Sequence, residues 1–322
     1  MIIGEYTQHS GLGNKMTQFA SLFSLAEDIH SPLMIPQIQC FPLTAKVSCQ
    51  LSEINRTPIA GARAIPGRHY INKAWSRDHS GRAITAHAAS YLENIYNFHH
   101  HKDALLSILR LPSYPIRDYQ FYRGPRNQLK AAHVESIRST DLVISLRLGD
   151  FVSKPDADER WQKCVYSRLL DYSYFKLVLE QVNFGRLFIT SDEPFHPLTD
   201  EFDRFDPIRV QNEDPLKTMA FVRRFGRIAI SESTFSWWAS YLSEAEEIYF
   251  PISVSGLWGI NETWNKASAS WHPLNPINVR DFDLYLRVDE CRYKYVHQAS
   301  GVIYRYRDAP GKRSESDFEH SI

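Results

Sequence analysis

Apolar residues recur at helical spacing from Met16 through Phe19, Ala20, Phe23 and Ala26 to Ile29, which predicts a helix with one buried face. A short apolar strand at residues 2–6 and a glycine-containing loop precede it, and a second apolar stretch covers 33–35. From 44 to 101 the period is lost among Pro, Gly, His and aromatic residues, so irregular loops over a partly formed sheet are expected. After about residue 136 strand and helix patterns alternate legibly. "DLVISLRLGDF" reads as a buried strand ending in a loop, "DYSYFKLVLEQV" as a helix, and "GRLFITSDEPF" as a strand breaking into an acidic turn. "IRVQ" is a short strand and "DPLKTMAFVRRF" a helix with an acidic N-cap and basic C-terminal turn. "GRIAISESTFSWWASYLSEAEE" runs from strand through a hydroxyl-rich turn into a helix, and "IYFPIS" follows as a strand.

That rhythm predicts a parallel sheet with crossover helices, half of a doubly wound α/β domain. Ligands of such sheets lie beyond the carboxyl ends of the strands, which directs attention to the loops after Ile144, Ile189 and Ile230. No repeat at a fixed period is visible, and only the terminal "DAPGKRSESDFEHSI" has the composition of a disordered tail.

Composition narrows the function classes. A chain of 322 residues, 43% of them hydrophobic, suits two globular α/β domains. Lys and Arg (37) balance Asp and Glu (37), which argues against a general nucleic-acid binder. Residues 101–138 lean basic through Lys102, Arg110, Arg117, Arg123, Arg126, Lys130 and Arg138; this pattern serves an anionic partner or membrane surface, or simply a solvated helix face. Cys40, Cys49, Cys164 and Cys291 form no CxxC pair, so neither a zinc site nor a disulfide framework is indicated, in keeping with a reducing cytoplasm. No run reaches the roughly 18 apolar residues of a membrane span and no signal-peptide pattern opens the chain, which leaves peripheral association with a membrane open.

The opening "SGLGNK" is a defective phosphate-loop fingerprint, because Asn14 separates Gly13 from Lys15, and the dinucleotide fingerprint fails where its third glycine would be Met16. What remains is a pair of glycines, Gly11 and Gly13, before a helix start that favours an anion. In "SLRLGD", Arg147 at a strand end can grip a pyrophosphate or form a structural ion pair with Asp150, and Gly149 permits close backbone approach. In "TSDEPF", Asp192 or Glu193 can accept from a nucleobase or ribose, or can make an Asx turn. In "SESTFSWW", Ser231, Ser233, Thr234 and Ser236 crowd a helix start where hydroxyls and N–H groups can hold phosphate oxygens. Phe235, Trp238, Ala239 and Leu242 follow at i, i+3, i+4 and i+7, a core face. "HHH" at 99–101 is read as polar loop rather than metal centre, since adjacent residues rarely converge on one tetrahedral ion. No GxSxG elbow supports a serine hydrolase.

Together these motifs resemble those of bacterial α-1,2-fucosyltransferases. "SGLGNKMTQFA" is similar to their "GGLGNQMFQYA", "SLRLGDF" lies where they have "HxRRGDY", "ITSDEPF" follows "DYSYF" much as their "SDD" follows "YY", and "SESTFSWW" resembles "NSTFSWW", over residues 2–251. The chain departs from the pattern at Ser145 (their His), Leu148 (their second Arg) and Glu232 (their Asn).

The resemblance implies a GT-B fold, two Rossmann-like α/β domains facing a central cleft. On this chain that gives an N-terminal acceptor-side domain at 1–136 with the SGLGN loop and a donor domain at 137–267; the extension at 268–322 lies beyond the resemblance, and its last ~15 residues have the composition expected of a disordered tail. It implies inverting, metal-independent transfer of fucose from GDP-fucose to a glycan hydroxyl, galactose O2 foremost, on an acceptor that can be lipid-linked, as in the cytoplasmic decoration of bacterial lipopolysaccharide or capsular glycans. Arg147 inherits the pyrophosphate contact and leaving-group stabilisation. Ser233, Thr234 and Ser236 would line the phosphate site, Asp192 the nucleoside side, and Gly11, Gly13 and Asn14 would face the donor across the cleft. For the base, Asp150 comes first and the Asp156, Asp158, Glu159 cluster second. The three departures keep two other readings alive: transfer from another GDP-sugar, and a transferase-like protein that binds a nucleotide or glycan without turnover.

Overall fold

The computed structural model describes residues 2–4, 6, 11–30, 32–35, 38, 63–64, 84–86, 98–149, 172–231, 233–252, 292–297 and 302–305. Strand β1 (Ile2–Gly4) leads to helix α1 (Leu12–Asp28) and β2 (Leu33–Met34), and with β3 (Arg63–Ala64) and β4 (Ile84–Ala86) these strands make a parallel sheet in the order β2-β1-β4-β3. A 3-10 turn (His99–His101) then runs into α2 (Lys102–Ile108).

The larger sheet contains β5 (Gln120–Arg123), β6 (Lys130–Ala131), β7 (Leu142–Leu146), β8 (Leu187–Ser191), β9 (Ile208–Gln211), β10 (Arg227–Ile230), β11 (Glu247–Ile252), β12 (Tyr293–His297) and β13 (Val302–Arg305). Their order is β13-β12-β11-β10-β7-β8-β9-β5-β6. From β12 to β9 every neighbouring pair is parallel, and antiparallel strands flank this centre. Leu142, Val143 and Ile144 of β7 and Leu187, Phe188 and Ile189 of β8 are all buried, as unbroken apolar runs covered on both faces require. Helices α3 (Tyr172–Gln181), α4 (Pro215–Val222) and α5 (Thr234–Tyr241) alternate with the strands. The chain starts the parallel part at β7, winds outward through β8 and β9, then returns to lay β10 on the other side of β7. The β7/β10 boundary is therefore a topological switch point, where loops diverge and leave a crevice at the carboxyl ends.

Two segments join this sheet from outside the 137–267 stretch. Strand β5 pairs antiparallel with β9 and satisfies its outer backbone groups, while Phe121 packs edge-on to Phe188 at 6.3 Å. From the C-terminal extension, β12 adds in parallel to β11. The terminal tail at 306–322 lies outside the described residues.

Of the expected N-terminal domain at 1–136, the described residues contain the four short strands, α1, α2 and the strands β5 and β6 that join the larger sheet; a second complete Rossmann-like domain is not shown among them. What they do show is α1 sharing one apolar core with α5: Met16, Phe19 and Phe23 belong to the same cluster as Trp237, Trp238 and Tyr241. Phe98 fills the gap beside them, stacking on Trp238 at 5.3 Å. Among the described residues no helix is long and apolar enough to cross a membrane.

Candidate active site

The end of β7 meets α5 through hydroxyls. Ser145, 3% exposed, shares a hydrogen bond of 2.9 Å with Ser236, which is 2% exposed and lies 3.3 Å from Ser231. Ser236 also donates to the Ser145 carbonyl at 3.3 Å. These small side chains let α5 start directly against the strand ends, and their polar atoms satisfy one another in a buried junction. Ser236, expected to hold a phosphate, lines the floor of the crevice.

One residue beyond β7, the Arg147 guanidinium lies 2.9 Å from the Asp192 carboxylate, which follows β8. Asp192 also accepts from the N–H groups of Leu148 (2.9 Å) and Gly149 (3.0 Å) and from the Ser191 hydroxyl (3.2 Å). Among the described residues the partner of Arg147 is thus Asp192, across two strands, and it folds the 147–149 turn around one carboxylate. Gly149 has a reason to be glycine, since a Cβ there would overlap Asp192. Leu148 turns inward and is 2% exposed, so the position of the family's second Arg carries an apolar anchor. Asp150, Asp156, Asp158, Glu159 and Glu232 lie outside the described residues, as do the four cysteines.

At the start of α5 the Thr234 hydroxyl donates to the Asn14 side-chain carbonyl at 2.6 Å. Further along, the Trp238 indole N–H donates to Thr17 Oγ1 at 2.8 Å, which donates in turn to the Gly13 carbonyl at 3.0 Å. Gly13 is buried where a Cβ would run into the backbone of Thr234 and Phe235. The "GLGN" motif therefore packs the N-terminus of α1 on the N-terminus of α5, with Gly11 exposed at the helix start. Trp238, Ala239 and Leu242 are buried as the periodicity requires, whereas Phe235 is half-buried and turns to the crevice.

That crevice is a cavity of about 290 Å³ bounded by the ends of β7, β8 and β9 and the start of α5. Arg147, Asp192, Ser233 and Ser236 line it, together with Phe235, which the periodicity assigned to the core face, and with residues that the sequence reading passed over: Phe195, Gln211, Asn212, Glu213 and Thr218. "QNEDP" reads as a helix cap, and it is one, with Asp214 accepting from the Leu216 N–H at 2.8 Å. Applying the strand-end rule to "IRVQ" as well would have found this loop. The Asn212 Oδ1 accepts from the Asp214 N–H at 3.2 Å, but its buried Nδ2 has no hydrogen-bond partner among the described residues. A buried donor left in this state is stabilised when a ligand acceptor reaches it. Phe195 is braced by Tyr122 at 5.2 Å, edge to face. Below the loop, Arg209 is fully buried and fastens the 3-10 helix Pro197–Phe205 to β9 through Asp203 (2.6 Å) and the Thr199 carbonyl (3.0 Å). One wall can hold a ring, another offers amide and carboxylate groups to a polar edge, and a cation and a helix start face the remaining space.

Residues 5–255 match the model of a known protein family, described as Glycosyl transferase family 11. No curated protein matches the chain.

Proposed function

The chain belongs to glycosyl transferase family 11, a fucosyltransferase family, and from that premise we propose that it is an inverting, metal-independent transferase moving fucose from GDP-fucose to a glycan hydroxyl, galactose O2 in the first instance. Family membership itself implies fucosyl-type transfer, a nucleotide-sugar donor and a glycan acceptor. The observation that carries the finer reading is Arg147, held 2.9 Å from Asp192 at the switch-point crevice and facing the N-terminal turn of α5.

In an inverting transfer the acceptor oxygen forms its bond to the anomeric carbon on the face opposite the breaking bond to GDP. Negative charge accumulates on the departing diphosphate, and a preorganised cation with N–H groups at a helix start stabilises that state more than the ground state. Arg147 and the first turn of α5 supply this pair, with the Ser233 hydroxyl beside them, since the Ser233 N–H is already bonded to the Ser231 carbonyl at 2.7 Å. A guanidinium has five N–H donors, so Asp192 can orient it while it also meets a phosphate oxygen. Asn212 and Glu213 suit a purine edge that presents both an acceptor and donors, and Phe195 or Phe235 can cover a ring face. The acceptor proton goes to Asp150, or to one of Asp156, Asp158 and Glu159. The two-domain GT-B arrangement, with the donor held in the C-terminal half, belongs to the same reading, as does work on a lipid-linked acceptor at the cytoplasmic membrane surface.

The burial of Leu148 favours a second reading, nucleotide binding without turnover, because one family cation is replaced by a core residue. Purified full-length protein, GDP-fucose and a panel of galactose-terminated acceptors separate the two. GDP release that depends on acceptor supports transfer; tight GDP binding with no donor consumed by any acceptor supports the second reading. Arg147→Ala should lower kcat/KM by roughly 30- to several-thousand-fold, equivalent to about 2–5 kcal/mol for an unpaired charge contact. EDTA should leave the rate unchanged; abolition with rescue by Mn²⁺ would overturn the metal-independent mechanism.

A further inference from the structure

We propose that Asp28, His100 and His101 form a binding site for a divalent transition-metal ion, Zn²⁺ foremost, that fastens the C-terminal end of α1 to the segment entering α2. The three side chains come from elements 72 and 73 residues apart. His100 Nε2 lies 3.0 Å from Asp28 Oδ2, and His101 Nε2 lies 3.0 Å from Asp28 Oδ1. One ligand atom from each residue falls within 4.8 Å of the other two. Tetrahedral Zn²⁺ with bonds of about 2.0–2.1 Å holds its ligands about 3.3 Å apart, so the spacing needs little adjustment to take an ion.

Adjacent histidines rarely share an ion when both must reach it unaided; here the local backbone and a third residue remove the difficulty. The 3-10 turn is closed by the His101 N–H donating to the Phe98 carbonyl at 3.0 Å, and the two imidazoles sit 4.4 Å apart with a 48° tilt. The turn itself is anchored, with Phe98 fully buried and His99 Nδ1 3.1 Å from the Tyr241 hydroxyl. The His101 ring meets Phe23 edge to face at 6.2 Å, which holds it over α1. Asp28 then supplies the carboxylate from the last residue of α1.

Electrostatics favour a cation at this point. A helix C-terminus carries partial negative charge, α1 has no basic residue in its last turn, and Asp28 adds a further negative charge there. A bound dication offsets both. Two imidazoles with one carboxylate suit Zn²⁺, Ni²⁺ or Cu²⁺ and not Mg²⁺ or Ca²⁺, which prefer oxygen-only shells. The side chains are 45% (His100), 25% (His101) and 28% (Asp28) exposed, so an ion reaches them from solvent and water completes its shell. The 14 helical steps from Asn14 to Asp28, at about 1.5 Å each, place the site about 21 Å along α1 from the Asn14–Thr234 contact with the start of α5. The ion is therefore a structural clamp and not part of transfer chemistry.

The test uses full-length protein stripped with EDTA and dialysed, titrated calorimetrically with Zn²⁺ or Mg²⁺, and followed by thermal unfolding. Wild type should bind one Zn²⁺ per chain and unfold at a higher temperature with it, and Mg²⁺ should do neither. The H100A/H101A double variant should bind Zn²⁺ at least ten-fold more weakly and lose the thermal shift. Asp28→Asn gives a milder second variant should the double one fold poorly, and His133→Ala, a histidine elsewhere on the surface, should bind as wild type does. Zinc binding and stabilisation that are equal in wild type, Asp28→Asn and the double variant would overturn the proposal, as would the absence of saturable binding to wild type. None of these readouts depends on transferase activity.

Discussion

Replacing Asp192 with Ala tests whether this carboxylate works by holding Arg147 or by touching the nucleoside itself. The substitution removes the 2.9 Å partner of Arg147 and the acceptor shared by the Leu148 and Gly149 N–H groups, so the 147–149 turn loses its centre. Hydrogen bonds to a charged group are worth about 1.5–3 kcal/mol each when dry. Arg147 and Asp192 are 36% and 31% exposed, however, and water recovers part of that energy. A net cost of about 2 kcal/mol follows, or roughly 30-fold in kcat/KM. The decisive measurement is the double variant with Arg147→Ala, assayed by acceptor-dependent GDP release, with circular dichroism to verify folding. If Asp192 acts through Arg147, its removal matters less once the arginine is gone, and the double variant should be about five-fold more active than the product of the single effects, a coupling of about 1 kcal/mol. Asp192→Asn keeps an acceptor for the two N–H groups while losing the charge, and should fall between wild type and Asp192→Ala. Effects that multiply to within about two-fold, a coupling below about 0.4 kcal/mol, would refute the positioning role and return Asp192 to direct donor contact.

Other perturbations probe the frame that carries the site. Gly13→Ala drives a methyl into the backbone of Thr234 and Phe235, so α1 must shift off α5; overpacking of this kind costs about 1–3 kcal/mol, and an unchanged urea midpoint would disprove the contact. Asn14→Ala strips the 2.6 Å acceptor from Thr234 and should cost about 1 kcal/mol, largely lost in a Thr234→Val background, as a cycle of denaturation midpoints would reveal. Burial raises the pKa of Asp141, but hydrogen bonds from Arg186 and the Arg138 N–H outweigh it and hold the carboxyl below its ordinary value. A depressed carboxylate contributes its stability above the unfolded value and loses it as pH falls through the folded one. Asp141→Asn should therefore cost about 3 kcal/mol at pH 7, with the gap to wild type closing below about pH 4, and a gap that stays constant down to pH 2 would contradict the assignment.

Local pattern determined much of the outcome here. The helical spacing at Met16, Phe19 and Phe23 and the apolar runs 142–144 and 187–189 specify which residues are buried, because the 3.6 period follows from helix geometry and an unbroken apolar run needs cover on both faces of a sheet. The order of those elements suffices to expect a parallel sheet and to put Arg147 and Ser233 at strand ends. Partnership across the fold is another matter, since register and crossover decide it and no short stretch encodes either. Asp192 meets Arg147 because β7 and β8 run parallel with Leu146 beside Ser191. Gly11 and Gly13 read as an anion loop on their own; that Gly13 and Asn14 also make a helix contact follows only because α5 arrives some 220 residues later. β5 and β12 join the sheet from beyond its core stretch because strand edges need partners. Asp28 comes to His100 and His101 for a similar reason: the common core of α1, Phe98 and α5 brings the end of the helix to the turn, and sequence spacing contains no trace of that approach.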